Sequence, residues 1–310
     1  MAILDMSILW KQMDRNSARA GAWYHYRMHV LSQDGVREGP VTAVAEVDFE
    51  RRFRGVERLY GRRALVRFTE ARVCVVGIGG VGSWVAEALA RSAIGSITLI
   101  DMDHVAESNV NRQLVADSST LGRAKTTVMA ERIAAINPYC RVDEVDDFVT
   151  VENVTERLVN RFDYIVDCAD NFRVKAEIVA RCRRNRNPVI TVGGAGGRID
   201  PAAIRVADLA RTEHDPLLAK VRKQLRNRYG FSRNLSRRFD VPCVYSSEQL
   251  IYASKDGEVC RDKSVADTAS GLSCGGGLGS VTHVTAAFAF HAVGHVLKRL
   301  AGATGADKKP

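Results

Sequence analysis

The sequence predicts an α/β fold of Rossmann type: a doubly wound, mostly parallel sheet with helices on both faces, followed by a basic C-terminal lobe. Three observations predict it. Residues 73–192 alternate short apolar runs with helix-spaced segments, the pattern of successive βα units. The first apolar run is followed by Gly77-x-Gly79-Gly80-x-Gly82, which opens a helical pattern. Asp101 closes the next apolar run, nineteen residues after Gly82, where a carboxylate accepts hydrogen bonds from a ribose in nucleotide-binding sheets.

Residues 73–76 suit a buried strand. The glycines then permit a tight turn and a close approach of backbone N–H groups to a phosphate. A helix over about 81–91 points its N-terminus at that phosphate, and 96–100 form the next strand. A nucleotide site follows from this stretch alone. Its nucleotide stays open, because a nicotinamide-dependent dehydrogenase carries the same pattern.

Upstream, residues 1–48 show no periodicity. They are expected to form a flexible N-terminal extension, the alternative being a partner-binding arm. Residues 51–72 are expected to form a helix leading into the first strand, with Leu59, Ala64, Leu65 and Phe68 inward and the arginines outward. Beyond Asp103, residues 105–117 read as a long irregular connection. Gly122 opens a helix over 123–136, closed by Asn137 and Pro138. Residues 142–146 read as a strand, 150–160 as a helix capped by Thr150, and 164–167 as a strand. Residues 171–184 form a helix with a basic outer face, and 188–192 another strand.

Gly193, Gly194, Gly196 and Gly197 mark a sharp turn, and 198–206 have room for two short strands. The nucleotide-binding domain therefore spans 49–207. The basic lobe, 208–310, completes the same fold. Within it, 211–238 carry nine basic residues against Glu213 and Asp215, and Leu217, Leu218, Val221 and Leu225 recur at helical spacing. Residues 229–240 read as a mobile loop, 244–252 as extended, 271–279 as glycine-rich, and 280–300 as a closing helix. That helix has a mostly apolar stretch over 281–297. This is shorter than the roughly 20 residues a membrane span needs and is interrupted by three histidines, so a core or dimer-interface role is expected.

With 46% hydrophobic and 26% charged residues, the composition is that of a soluble globular protein. No basic-apolar-small leader is present, which argues against secretion. The seven cysteines form no C-x-x-C pair, so a structural zinc is not expected. They read as reduced thiols of a cytoplasmic protein. The net charge of +9 favours a polyanionic partner, either nucleic acid or an anionic surface.

Three further groups fall at the carboxyl ends of predicted strands: Asn109-x-x-Arg112-Gln113, Lys125, and Asp167-Cys168-x-Asp170-Asn171. Hydride transfer does not need so many charged groups beside a pyrophosphate. Adenylation does. Attack of a carboxylate on an α-phosphate builds charge that Arg and Lys stabilise, and the departing pyrophosphate needs a cation such as Mg²⁺ on a carboxylate such as Asp170.

These residues together resemble the ThiF/MoeB adenylyltransferases, which share the catalytic fold of the ubiquitin-activating enzymes. The motif-level likeness covers about 52–192. It implies that Gly79, Gly80 and Gly82 lie along the ATP phosphates, with Gly77, Asp103, Gln113 and Asn171 in the same pocket. It implies further that Asp101 holds the ribose, that Asn109, Arg112 and Lys125 contact the phosphates, and that Asp170 holds Mg²⁺. An arginine from the second subunit of a homodimer would reach the ATP. Arg52 and Arg58 are both candidates.

RLYG at 58–61, GIGGVGSW at 77–84, MAERI-x-x-INP at 129–138, DDFVT at 146–150, TVGGAGG-x-IDP at 191–201 and C-V-x-S-x-E at 243–248 resemble one branch of the family. Its members dehydrate N6-threonylcarbamoyladenosine at position 37 of tRNA. This likeness runs from Arg52 nearly to the end, while the first fifty residues depart from it. It implies that ATP converts the threonyl carboxylate into an acyl-adenylate, and that the neighbouring carbamoyl group closes a five-membered ring and expels AMP. Ring closure is intramolecular, so orientation alone supplies effective molarities on the order of 10⁵ M.

The implied partners are tRNA, a second copy of the chain, and cysteine desulfurase or sulfur-acceptor proteins. The implied ligands are ATP and Mg²⁺, with a structural monovalent cation. Two other readings stay open. One is an adenylyltransferase that activates the C-terminal Gly-Gly of a sulfur carrier. The other is a non-catalytic nucleotide-binding scaffold. Cys243 and Cys274 are either buried structural thiols or participants in thioester or sulfur-relay chemistry. The basic segment 211–238 is either a solvated face or an RNA contact.

Overall fold

The computed structural model describes residues 47–254, 257–261 and 278–302. Residues 1–46 of the expected extension, 1–48, lie outside them, as do residues 271–277 of the glycine-rich stretch.

The approach to the first strand is two helices rather than one, α1 (Phe49–Tyr60) and α2 (Arg62–Glu70). Gly61 separates them at φ 86°, a backbone conformation that ends a right-handed helix. Phe49, Phe53, Ala64 and Phe68 are buried, whereas Leu59, expected inward, is 78% exposed. The break at Gly61 turns that part of α1 away from the core.

Among the described residues a seven-stranded sheet runs in the order β3-β2-β1-β4-β5-β7-β6. The strands are β1 (Arg72–Val76), β2 (Ser96–Ile100), β3 (Arg141–Val145), β4 (Tyr164–Asp167), β5 (Val189–Val192), β6 (Ile204–Asp208) and β7 (Pro242–Ser246). All neighbours pair in parallel except β6, which runs antiparallel on the edge beside β7. A separate two-stranded ladder joins β8 (Tyr252–Ala253) to β9 (Val259–Cys260).

Alternation along each strand builds two cores. Val73 and Val75 of β1 face one side, where they meet α3 (Gly82–Arg91), α4 (Lys125–Ile136) and the last helix, α8 (Thr282–Ala301). Cys74 and Val76 face the other, against α5 (Val154–Leu158), α6 (Phe172–Arg184) and α7 (Pro216–Arg228). The segments after residue 208 thus supply β7 and α8 to the same sheet and core. Winding proceeds from β1 to β2 and β3, then reverses to β4 and β5. The reversal opens a crevice at the carboxyl ends of β1 and β4, where doubly wound sheets bind ligands.

Other boundaries move for local reasons. The helix expected over 150–160 shrinks to α5. Thr150 and Asn153 bond one another instead, Thr150 N donating to Asn153 Oδ1 at 2.8 Å, which makes a turn before the helix starts. The helix expected from 123 starts at Lys125, because Ala124 is extended and bridges to His104. Only one strand, β6, lies in the stretch expected to hold two. The segment over 229–240 is folded onto the core rather than free. Phe231 and Phe239 pack edge to face at 4.9 Å, and the Asp208 carboxylate accepts from Phe239 N and Val241 N.

No helix among the described residues is long and apolar enough to cross a membrane. In α8, Val284, Phe288, Ala292 and Val296 form a buried stripe against α2 and α3. Phe68 is fully buried, edge-on to Tyr60, in the same core. Phe68→Ala is expected to cost about 3–5 kcal/mol, read as a lower urea midpoint with an unchanged slope.

Candidate active site

The crevice is built from the glycine turn upward. Gly77 leaves β1 at φ 85°, and a side chain there would press on the Cys168 carbonyl at 3.1 Å. A Cβ at Gly82 would overlap the Gly77 carbonyl oxygen, so the turn closes only with glycine at that position. The Asp101 carboxylate at the end of β2 fixes the turn from outside. Its Oδ2 accepts from Ile78 N at 2.6 Å, its Oδ1 from Asp103 N at 2.8 Å, and it is 8% exposed. The Gly79 and Gly80 N–H groups, one turn ahead of α3, have no hydrogen-bond partner among the described residues. They supply the positive end of that helix to an anion.

The segment 109–113 lies against this turn and is held at several points. Ser83 Oγ donates to Gly79 O and accepts from Leu114 N. The Arg112 carbonyl accepts from Trp84 Nε1 and Thr285 Oγ1, both at 3.2 Å. Asn111 Nδ2 donates to Ser280 O at 2.8 Å. The start of α8 and the residue Ser280 before it therefore brace the site across sequence separations of 173 and 169 residues. The stem of Arg112 lies over Gly80, while its guanidinium donates to Ser108 O and Asn111 Oδ1. Asn109 is buried, its Oδ1 accepting from Ala106 N. Gln113 is buried beside Gly79, and its Oε1 has no hydrogen-bond partner among the described residues. An orphaned buried acceptor at this position marks a place where a ligand donor fits.

Lys125 Nζ pairs with Asp103 Oδ2 at 2.8 Å, its side chain 6% exposed. Asp167 is fully buried. Lys175 Nζ lies 2.9 Å from its Oδ2, and Thr191 Oγ1 donates to the same oxygen at 2.7 Å. The sequence reads the cations of α6 as an outer face, but Lys175 points into the core. Burial there requires this partner. Asp170, three residues beyond, is exposed and without a partner among the described residues. Asn171 caps α6, accepting from Arg173 N and Val174 N.

The structure thus gathers Gly77, Gly79, Gly80, Gly82, Asp101, Asp103, Asn109, Arg112, Gln113, Lys125, Asp170 and Asn171 at the carboxyl ends of β1, β2 and β4. It does not bring Arg52 or Arg58 among them. Arg52 Nη1 donates to Ile136 O at 2.7 Å, at the far end of α4 from Lys125. That helix has 12 residues, about 18 Å of rise. Arg58 is exposed and unpaired among the described residues. Ser83, Trp84, Thr285, Lys175 and Thr191 go unnoticed in the sequence as supports, although Ser83 lies within the glycine motif itself.

Cysteine chemistry finds no support in the described residues. Cys243 is fully buried on β7, and desolvation pushes its thiol well above the usual range. Burial also pushes Cys168 up to about 12. Thiols in such surroundings stay protonated and unreactive. Cys274 lies outside the described residues.

The ThiF family matches residues 51–309 of this chain. The chain is 51% identical over 252 residues to the tRNA threonylcarbamoyladenosine dehydratase of Escherichia coli (strain K12), covering 81% of this chain and 94% of that protein. It is also similar to the crystal structure of the E. coli dehydratase, TcdA, in complex with ATP. The TM-score is 0.71 at 48% identity, over 81% of this chain and 94% of that one. The AMP complex gives 0.72 at 47% identity, over 84% and 97%.

Two substitutions separate the supports from idle thiols. Lys175→Met, which strands the Asp167 carboxylate in the core, is expected to destabilise by about 3–5 kcal/mol in urea unfolding. Cys243→Ala is expected to keep full turnover.

Proposed function

This chain belongs to the ThiF family, and from that premise we propose that it is an ATP-dependent tRNA threonylcarbamoyladenosine dehydratase. The observation that carries the proposal is the glycine turn held open by Asp101, with the Arg112 stem across Gly80 and the Lys125–Asp103 pair beside it. That arrangement offers unpaired backbone donors and two cations to a triphosphate. The likeness to a relative crystallised with ATP and with AMP supports the same pocket for the nucleotide before and after turnover.

The reaction starts on the tRNA. An oxygen of the threonyl carboxylate attacks the α-phosphorus of ATP, a P–O bond forms, and the bond to pyrophosphate breaks. Arg112 and Lys125 stabilise the charge that accumulates on the phosphate oxygens. The carbamoyl group then attacks the activated carbonyl, the ring closes, and AMP leaves with the carboxylate oxygen. One water is lost from the nucleoside, and ATP carries the cost.

Asp170 would hold Mg²⁺, which neutralises charge on the departing pyrophosphate when bound. No cluster of three or more His, Cys, Asp or Glu side chains is placed to hold a metal among the described residues. A single exposed carboxylate suits an ion that takes its remaining ligands from phosphates and water.

The active form is a homodimer in which Arg58 reaches the partner's ATP. Arg52 is already committed to the carbonyls closing α4, whereas Arg58 projects from α1 beside the exposed Leu59. The reading places the protein in the cytoplasm, with tRNA. The basic face of α7 turns toward that RNA.

Incubation of the purified protein with ATP and modified tRNA, followed by mass spectrometry of the nucleosides, is expected to show loss of one water with one AMP and one pyrophosphate released. Unchanged nucleosides would overturn the reading. Asp170→Asn is expected to lower kcat by about 10²–10³-fold. Mixed Arg58→Ala and Asp170→Asn subunits are expected to regain about a quarter of wild-type activity, because half the dimers are mixed and each mixed dimer holds one complete site. No recovery would assign Arg58 elsewhere.

A further inference from the structure

At the opposite end of α6 and α7 from the nucleotide crevice lies an open groove of about 750 Å³. Arg181, Arg184, Arg228 and Arg238 line it, with Phe231 and Phe239. The acidic groups nearby are already used. Glu177 pairs with Arg181 at 2.6 Å, Asp240 with Arg183 at 2.8 Å, and Asp208 lies 3.7 Å from Arg238 while capping backbone N–H groups. Arg184 and Arg228 are exposed and make no hydrogen bond or ion pair among the described residues. Among the described residues, the groove therefore carries two uncommitted guanidinium groups, Arg184 and Arg228, whose neighbouring carboxylates are paired elsewhere.

Its walls are tied to one another. Arg183 Nε donates to Phe239 O at 3.1 Å, the Arg226 guanidinium stacks over the Phe239 ring at 5.3 Å, and the buried Asp208 ties the loop at Phe239 and Val241. A groove already shaped loses little entropy on binding an extended anion. A cationic path leads to it from the crevice. At the N-terminal end of α6, Arg173 and Lys220 flank the Phe172 ring at 5.7 and 5.8 Å, and Lys223 is exposed one turn further down α7. α6 has 13 residues, so the path is about 20 Å long.

We infer that this groove is a second tRNA-binding site, remote from the chemistry, that takes the phosphodiester backbone of the same tRNA whose modified nucleotide enters the crevice. The inference rests on the proposed dehydratase activity. Guanidinium groups suit phosphates because their N–H fork matches two phosphate oxygens. At about 20 Å from the crevice, the groove grips the body of the tRNA and not the reacting nucleotide. Binding energy taken there lowers KM without touching the chemical step.

The test compares wild type with Arg184→Ala/Arg228→Ala, and with Arg184→Lys/Arg228→Lys, on full-length modified tRNA and on an anticodon stem-loop carrying the same nucleoside. The alanine pair is expected to raise KM for full-length tRNA at least tenfold at unchanged kcat and unchanged ATP affinity. The slope of log affinity against log salt should become shallower by about 1–2, the loss of two phosphate contacts. The lysine pair should restore most of the slope, and the stem-loop should not distinguish the alanine pair from wild type. An unchanged KM and slope for full-length tRNA in the alanine pair, with active wild type, would overturn the groove alone. A defect equal on both RNAs would also overturn it, since that places the two arginines at the crevice. Inactive wild type would instead remove the dehydratase reading beneath it.

Discussion

The structure depends on one carboxylate at the end of β2. Asp101 accepts from Ile78 N and Asp103 N with opposite oxygens, so a single buried group sets both the first step of the glycine turn and the exit from its own strand. Hydrogen bonds to a charged acceptor contribute about 1.5–3 kcal/mol each, enough to hold a loop with few side chains of its own. The turn then dictates where α3 begins, Ser83 at that beginning holds the 109–114 segment, and Thr285 of α8 and Ser280 just before that helix close over it. A loop shaped this way before the nucleotide arrives spends little binding energy on ordering itself.

Two buried ion pairs do the same for the other lip of the crevice. Asp167 and Lys175 fix the end of β4 below Asp170, with Thr191 linking them to β5. Asp215 accepts from Gly194 N and Leu218 N, and Arg198 binds the carbonyls of Gly194, Ser246, Glu248 and His214. Burial raises the Asp215 carboxyl and lowers the Arg198 guanidinium against their ordinary values, the cost of taking both out of water. Both pairs are fixed in place by several hydrogen bonds each. In return for that desolvation, the ends of β4 and β5 are tied to one another and to the start of α7.

Much of this was legible in the residues themselves. Glycine spacing, apolar alternation and the strand-end acids report local backbone needs, and local needs leave local marks. The two-sided burial of β1, with Val73 and Val75 on one face and Cys74 and Val76 on the other, follows from strand periodicity alone. What stayed hidden depends on distant partners. Nothing near Thr285 or Ser280 in the chain announces a bond to residues 111 and 112. Lys175 reads as one more surface cation of a basic helix until the position of Asp167 is known. The α1–α2 break lies at Gly61, whose φ of 86° ends a right-handed helix, and the arginine-rich pattern on both sides of it conceals the break in the sequence. Spacing does not separate Arg52 from Arg58; what the folded chain adds is that Arg52 bonds the Ile136 carbonyl at the end of α4, a partner 84 residues away that no local pattern announces.

The parts compose one chemical device. In the proposed mechanism, backbone donors and fixed cations receive the triphosphate, and Asp170, without a partner among the described residues, waits at the rim. The tRNA supplies both the carboxylate to be activated and the carbamoyl group that displaces AMP. The most direct measurement follows oxygen. With ¹⁸O in the threonyl carboxylate of the tRNA, one labelled oxygen should appear in AMP and none in pyrophosphate or inorganic phosphate. Label recovered in inorganic phosphate or in water, with unlabelled AMP, would contradict transfer of an adenylyl group to the carboxylate.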